Sequence, residues 1–452
     1  MTNQAVESRG AGLPQPAELE AMVKLVLDEA KTCGASAAEA GVSLEAGLSV
    51  TVRLGEVETL EYHRDRGVGV TVYFGQRKGS ASTSDFAPQA LRETVRAACD
   101  IARYTSEDDC AGLADAALMA KDIPDLDLCH PWAIDAAGGI ELAQRCEAAA
   151  RDADARITNS EGATLSSHQG LRVYGNSHGF VAGYPSSRHS LSCSVIAGRD
   201  EHMQRDYWYD VARRHEDLDS AEHIGRLAAE RTLRRLDGRK LGTRQVPVIF
   251  AAEIATGLFR SFVSAVRGSS LYRKSSFLLD HLGKPVFPDF VHIHEQPHLR
   301  GALGSAPFDS EGVATRARDL IAGGVLQGYV LDSYSARKLG MQTTGNAGGV
   351  HNLSVDPGGL DAEGLLREMG TGLLVTELMG QGVNLVTGDY SRGAAGFWIE
   401  NGIVQYPVEE ITIAGNLKDM FMNIVAIGSD VEHRGNYRTG SVLIERMKVA
   451  GE

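Results

Sequence analysis

Leu19, Met22, Val23, Val26, Leu27 and Ala30 recur at three- and four-residue spacing, which predicts a helix over about residues 16–32 with one apolar stripe. From Ala37 to Ser84 the pattern switches to alternation, as in Leu48-Ser49-Val50-Thr51-Val52-Arg53-Leu54 and Val68-Gly69-Val70-Thr71-Val72-Tyr73-Phe74. With Gly55, Gly67, Gly75 and Gly79 between the runs, these segments read as strands of a meander. A second amphipathic helix follows, with Pro88 in its first turn and Leu91, Val95, Ala98 and Ala102 on one face. Residues 105–133 carry Pro124, Pro131 and the run Glu107-Asp108-Asp109, the marks of an irregular surface connector or lid.

A helix over 134–152 leads into strands at about 156–212 and a helix from about Ser220 to Leu236. Arg226, Arg231, Arg234 and Arg235 stand on that last helix beside Glu222 and Glu230, a pattern that predicts a solvated face. Val246–Phe250 fits a buried strand, and residues 251–266 have helical spacing through Ile254, Leu258, Phe262 and Ala265. Beyond Gly301 the chain is dense in turns, with Gly323-Gly324 and Asn401-Gly402 as hairpin signals. The predicted class is α+β, an N-terminal helix and antiparallel-sheet domain followed by a larger, sheet-rich C-terminal domain. The boundaries expected are 1–104, 105–240 for a connector with a central strand and helix region, and 241–452.

Composition narrows the function classes. A chain of 452 residues exceeds the size at which one core stops growing, and 43% hydrophobic with 23% charged residues is ordinary for a folded globular protein. The 45 basic residues against 59 acidic ones leave −14 net, which works against sequence-independent attraction to nucleic acid or an anionic membrane. No stretch has the run of uncharged apolar residues a spanning helix needs, and Met1-Thr2-Asn3-Gln4 lacks the basic start of a secretory signal, so a cytoplasmic location is expected. The six cysteines contain no Cys-x-x-Cys pair and read as reduced thiols. Gly at 51 positions against 13 Pro and 3 Trp favours tight turns and antiparallel sheet over a helical bundle.

Two motifs have chemical meaning only in a particular setting. His294-Glu295-Gln296-Pro297-His298 matches the His-Glu-x-x-His of zinc peptidases, in which a helix projects both imidazoles from one face. Pro297 removes a backbone donor, clashes with the preceding turn and pushes Gln296 towards extended geometry. Gly175-Asn176-Ser177-His178-Gly179 matches a nucleophile elbow, but the following Phe180-Val181-Ala182-Gly183-Tyr184-Pro185 reads as the return strand of a hairpin rather than a helix. No phosphate-cradling glycine loop is present, so a nucleotide cofactor has no support.

Glycine-dense polar stretches occupy residues 343–352, 376–382 and 387–396, where small residues admit either an extended peptide or tightly packed sheet corners. Residues 344–352 and 389–396 are expected to face a shared cavity. Asn346, His351, Tyr390 and Arg392 are the candidate polar contacts, with Tyr390 against peptide and Arg392 on a substrate carboxylate. The alternative for Arg392 is an ion pair with an aspartate that ties two sheet corners together.

Tyr272-Arg273-Lys274-Ser275, Pro307-Phe308-Asp309-Ser310-Glu311-Gly312, residues 333–340 and Gly388-Asp389-Tyr390-Ser391-Arg392-Gly393, with Arg77–Ser82 and Ile101–Thr105 on the N-terminal side, resemble the TldD/PmbA family over essentially the whole chain. The resemblance implies a cytoplasmic subunit of a TldD/TldE metallopeptidase complex that degrades unfolded peptides and takes part in peptide maturation. The TldD-type partner in that family carries a helical His-Glu-x-x-x-His and a distant Cys as metal ligands. The matching positions here are Arg260, Ser261, Ala265 and Thr439. The resemblance therefore implies a non-catalytic chain without a metal or other cofactor, zinc in the TldD-type partner, and unfolded peptides as substrates. Without that partner the chain could pair with itself. Two other classes stay open: an autonomous metal-dependent hydrolase using His294, Glu295 and His298, and a regulatory protein that binds and modulates DNA gyrase without hydrolysis.

Overall fold

In the computed structural model, which describes residues 14–451, helix α1 spans Pro16–Thr32, as the apolar spacing predicts. The opening Met1–Gln4 lies outside the described residues. Strands β1 (Ala37–Arg53), β2 (Glu56–Phe74) and β3 (Arg77–Thr83) follow, then α2 (Pro88–Tyr104) and, after an irregular connector, α3 (Ala136–Arg151). The chain continues through β4 (Ile157–Asn176), β5 (Val181–Ala197), β6 (Gln204–Ala212) and α4 (Ala221–Leu233). All six strands form one antiparallel sheet in the order β3-β2-β1-β4-β5-β6. Its central pairing runs from Glu39 opposite Asn176 to Val52 opposite Ala163, so a single sheet is built from both sides of residues 104 and 105.

The pleat explains where the helices go. Ala38, Ala40, Val42, Val50 and Val52 of β1 all point to one face and are all buried. The 17 residues of β1 rise about 3.3 Å each, roughly 55 Å in all, enough length for two helix pairs side by side. Leu19, Val23 and Val26 of α1 and Leu91, Val95 and Ala98 of α2 cover the end near Val42. Ala143 and Cys146 of α3 and Ile224 and Ala228 of α4 cover the end near Val50. Helices α3 and α4 touch backbone to backbone at Gly225, where a Cβ would stand 2.1 Å from the Cys146 carbonyl oxygen.

The second half comprises β7 (Arg244–Phe250), α5 (Ala252–Ala265), α6 (Gly268–Tyr272), β8 (Ile293–Glu295), β9 (Arg318–Ala322), β10 (Val325–Leu326), α7 (Ser333–Lys338) and β11 (Leu353–Val355). It continues with α8 (Ala362–Met369), β12 (Gly372–Met379), β13 (Asp389–Glu400), β14 (Ile403–Asn416), α9 (Leu417–Met422), β15 (Ile424–Ile427), β16 (Tyr437–Arg438) and β17 (Val442–Ala450). One sheet has the order β14-β13-β12-β7-β17-β15, and because β14 also pairs β17, five of its strands close into a ring. A smaller sheet, β10-β9-β8-β11-β16, lies beside it. Phe262 of α5 packs edge to face on Phe287 at 5.3 Å, and Phe287 stacks on Phe421 at 4.8 Å. The Asn401-Gly402 turn between β13 and β14 has φ of 53° and 74°, the geometry that this dipeptide favours.

Arginines join the halves. The basic helix α4 differs here from its expected role as a solvated face: Arg231 donates to Glu253 at 2.8 Å, and Arg235 pairs with Asp206 and Glu377. Arg226 and Arg234 remain exposed, and the Arg234 guanidinium lies 4.9 Å from the Phe397 ring centroid. Side-chain spacing along one helix reveals that face, but the acids opposite it come from remote strands. Arg337 fastens the connector by donating to the carbonyls of Cys110, Gly112 and Leu113, while Arg434 lies 3.9 Å over Trp208.

Gly225→Ala tests the tight helix seam. The added methyl meets backbone rather than a movable side chain, so the variant should lose on the order of 1–3 kcal/mol in urea melts. Wild-type stability would sink this account of the packing.

Candidate functional site

The two sequence motifs adopt settings that separate their side chains from the chemistry they suggest. Residues 293–295 form strand β8, so His294 and Glu295 point to opposite faces. His294 Nδ1 stands 3.2 Å from Asp356, and His298 Nε2 is 3.0 Å from the Thr315 hydroxyl. Residues 176–179 are the turn between β4 and β5, with the Gly179 amide donating to the Asn176 carbonyl. There the Ser177 hydroxyl accepts from the Ala38 amide, and His178 Nε2 faces the Ala114 carbonyl at 3.1 Å.

Glu295 instead organises the glycine-rich loop after α7. Its carboxylate, 2% exposed, accepts from Arg318 Nε at 3.0 Å, Asn346 Nδ2 at 2.8 Å and the His351 amide. Asn346 Nδ2 also donates to the Gly349 carbonyl, and its Oδ1 accepts from Arg318 and Thr344. All four hydrogen-bonding places on the Asn346 amide are thereby filled within the chain. Burial pulls the His351 imidazole towards its neutral form, Nδ1 faces the Gly304 carbonyl at 3.3 Å, and Nε2 has no partner.

Tyr390 and Arg392 lie elsewhere, on β13. The Tyr390 ring is buried, 6.4 Å from Phe250 and edge-on to it. Burial pushes its phenol up to about 12 against the pull of the neighbouring Arg392 charge, and its hydroxyl has no hydrogen-bond partner of good geometry. The nearby Asp389 carboxylate accepts from Thr387 and Asn416 rather than from Arg392.

At the positions matched to metal ligands, Arg260 lies 4.9 Å from the Tyr437 ring centroid, so α5 does meet the strand that leads to Thr439. Ser261 donates to the Gly257 carbonyl, Ala265 is buried, and the buried Thr439 hydroxyl donates to the Gly440 carbonyl. None of these four side chains is of a zinc-holding type. Among the described residues no three His, Cys, Asp or Glu side chains are placed to hold a metal ion.

Sequence reasoning did not find the cavities on the sheet face opposite the helices. One of about 380 Å³ is lined by Glu39, Tyr73, Asp108, Glu311 and Tyr334, among others. Glu39 accepts from two phenols, Tyr73 at 2.9 Å and Tyr174 at 2.8 Å. Asp108 accepts from Tyr334 and Lys338, which hold its carboxyl down at about 2. Burial pushes Glu311 up to about 7 even though Ser333 donates to it through both amide and hydroxyl, and the charges of Asp309 and Asp332 add to the rise. A second cavity, of about 140 Å³, is walled by Arg172, Tyr174, Tyr184, Phe308, Asp309 and His351, among others. The sequence did single out His351 with its glycine-rich stretch, the run 307–312, Asp108 and residues 333–340; Glu39, Arg172 and Tyr184 come from strands whose alternation marks them as polar-face positions without saying what packs against that face.

Family models match three successive stretches: the PmbA/TldA metallopeptidase domain 1 at residues 38–102, the central domain at 129–236 and the C-terminal domain at 243–451. The chain is 58% identical to the metalloprotease PmbA of Escherichia coli over 415 residues, 92% of each chain. A crystal structure from Bacteroides thetaiotaomicron, described as a candidate modulator of DNA gyrase, is 30% identical and superposes with a TM-score of 0.92 over 96% of this chain and 99% of its own. TldE from Thermococcus kodakarensis, at 21% identity, shares the fold with a TM-score of 0.83 over 95% of this chain and all of its own, 100%.

Two outcomes follow from this geometry. Tyr390→Phe should leave stability within about 1 kcal/mol of wild type, because no hydrogen bond is lost, whereas Tyr390→Ala should cost about 3–5 kcal/mol in denaturant melts. Comparable losses for both variants would contradict a purely packing role. For Glu311, whose ordinary value is 4.5, the folded chain keeps a proton up to about 7 that the unfolded chain releases earlier. Its contribution to stability is thus present at low pH and fades as pH rises through that window. Glu311→Gln should gain on wild type between pH 5 and pH 7.5, and an unchanged difference at the two pH values would refute the shift.

Proposed function

Because the chain belongs to the PmbA/TldD metallopeptidase family, we propose that it is the non-catalytic, TldE-type subunit of a cytoplasmic TldD/TldE complex that degrades unfolded peptides. The observation that carries this reading is Arg260. Its guanidinium, held over Tyr437 at the meeting of α5 and β16, stands at the position that the family resemblance matches to a zinc ligand, where it would repel a dication. The zinc and the attacking water would then belong to the TldD-type partner, and this chain would contribute the wall that receives peptide. His351 supports that role through its place in the wall of the 140 Å³ cavity. Asn346 would act from behind, by holding the glycine loop on Glu295. No helix among the described residues is long and apolar enough to cross a membrane, which agrees with the location proposed.

Capture of the tagged chain from cells, with metal analysis and peptide cleavage assayed with and without the captured partner, tests the assignment. A TldD-type chain should co-purify, zinc should track that chain, and cleavage should need both. His294→Ala and His298→Ala should change the cleavage rate of the complex by less than about twofold, since neither imidazole can join the other on a helical face. Stoichiometric zinc with cleavage by the isolated chain would favour the autonomous hydrolase, and capture of gyrase without a TldD-type chain would favour the regulatory reading.

A further inference from the structure

The smaller cavity has an unusual balance of hydrogen-bonding groups. Part of its wall is aromatic, with Tyr184 packed edge to face on Phe308 at 5.5 Å and Tyr174 lining the same cavity. Besides the Tyr174 hydroxyl, which donates to Glu39, and His351, three groups in the same wall carry donor hydrogens: the Arg172 guanidinium, the Tyr184 hydroxyl and the Ser310 hydroxyl. None of the three donates a hydrogen bond to a described residue, and Arg172 has no ion-pair partner among them. The arginines around them differ. Arg213 donates to the Ser187 and Leu303 carbonyls, and Arg318 donates to Glu295, Asn346 and the Tyr329 carbonyl.

The other titratable groups in the wall leave this set free. Asp309 is buried, and its two oxygens accept from the amides of Glu311, Val313 and Ala347, so it is turned towards its own loop. His351 is held towards neutrality by burial. Arg172 and Tyr184 also line a wider, neighbouring cavity of about 400 Å³ that runs past Leu44 and Gly170. A group bound at their shared wall would have room for one residue on the closed side and a path for a longer chain on the other.

We propose that Arg172, Tyr184 and Ser310 form a carboxylate-binding pocket that takes the carboxy-terminal residue of an extended peptide. Planar guanidinium and two hydroxyls match the two oxygens of a carboxylate, and the aromatic walls of Tyr174 and Phe308 suit the last side chain. The rest of the peptide leaves through the wider cavity. The ligand class rests on the peptide-handling role proposed above, while the pocket itself rests on the unpartnered donors.

Titration calorimetry of the full chain with one N-acetylated hexapeptide of alanine, glycine and leucine tests the pocket. The peptide is used as its free acid, as its terminal amide, and as the amide with an internal aspartate. The free acid should bind at least about tenfold tighter than the plain amide. Arg172→Gln should abolish that difference without shifting the melting temperature, and Arg172→Lys should keep part of it. An aspartate-containing amide that binds like the free acid would overturn the terminal assignment while keeping the carboxylate pocket. Equal binding of acid and amide would overturn the pocket and leave peptide gathering standing. If no peptide bound to the chain or to its complex with a TldD-type partner, both would fall together.

Discussion

The pairing of β1 with β4, from Glu39 opposite Asn176 to Val52 opposite Ala163, is the constraint on which the rest of the molecule depends. A pleated strand sends neighbouring side chains to opposite faces, so each residue of these two strands is committed either to the helices or to the second half. On one face, Val42, Val50, Leu165 and Val173 bury against α1 to α4. On the other, Glu39, Arg172 and Tyr174 meet the loops of the C-terminal half and line its cavities. A slip of one residue in this register would exchange the two sets, placing carboxylate and guanidinium under the helices and valines in the cavities. The junction therefore exists because a long sheet was given a dry face and a polar one.

What faces the polar side is held by a buried charge. Glu295 would be costly to desolvate alone, and it is stable there because Arg318, Asn346 and a backbone amide converge on it. That convergence gives the glycine-rich loop 343–352 a defined path, and the loop in turn brings Ala347, Gly348 and His351 to the smaller cavity. The seam between the halves relies on the same kind of interaction. Arg231, Arg235, Arg337 and Arg434 each reach across to carboxylates, carbonyls or aromatic faces of a remote segment. A planar fork of donors suits such a role better than an ammonium, because several directed bonds form from one rigid group.

The His-Glu-x-x-His run illustrates how a motif loses its meaning in the wrong backbone. In β8 its first two residues face opposite ways, and the carboxylate that would activate water in a helix becomes the buried hub of a loop. Pro297 made this legible in advance, since a helix cannot carry it at that place. The glycine-dense stretches were ambiguous for a different reason: small residues permit close approach without saying what approaches. The structure separates the two stretches expected to share a cavity. One wraps Glu295 at the junction, whereas Tyr390 of the other is packed into the C-terminal core against Phe250.

By itself the sequence determined the local elements. Apolar spacing placed α1 over residues 16–32 and the strand and helix at 246–250 and 251–266, and Asn401-Gly402 marked the β13–β14 hairpin, because periodicity and turn chemistry are properties of neighbouring residues. The family resemblance read from it implies that Arg260, Ser261, Ala265 and Thr439 stand at the metal-ligand positions. Alternation already marked the valine face of β1 and β4 as the dry one; only the tertiary structure decided that these two strands pair, that β14 closes on β17, and that Glu39, Arg172, Tyr184, Glu311 and His351 border cavities at one junction. Those residues are separated by up to hundreds of positions along the chain, and a local pattern tells apolar from polar positions without saying which remote segment packs against them. Partner strands and the charges opposite them make that choice.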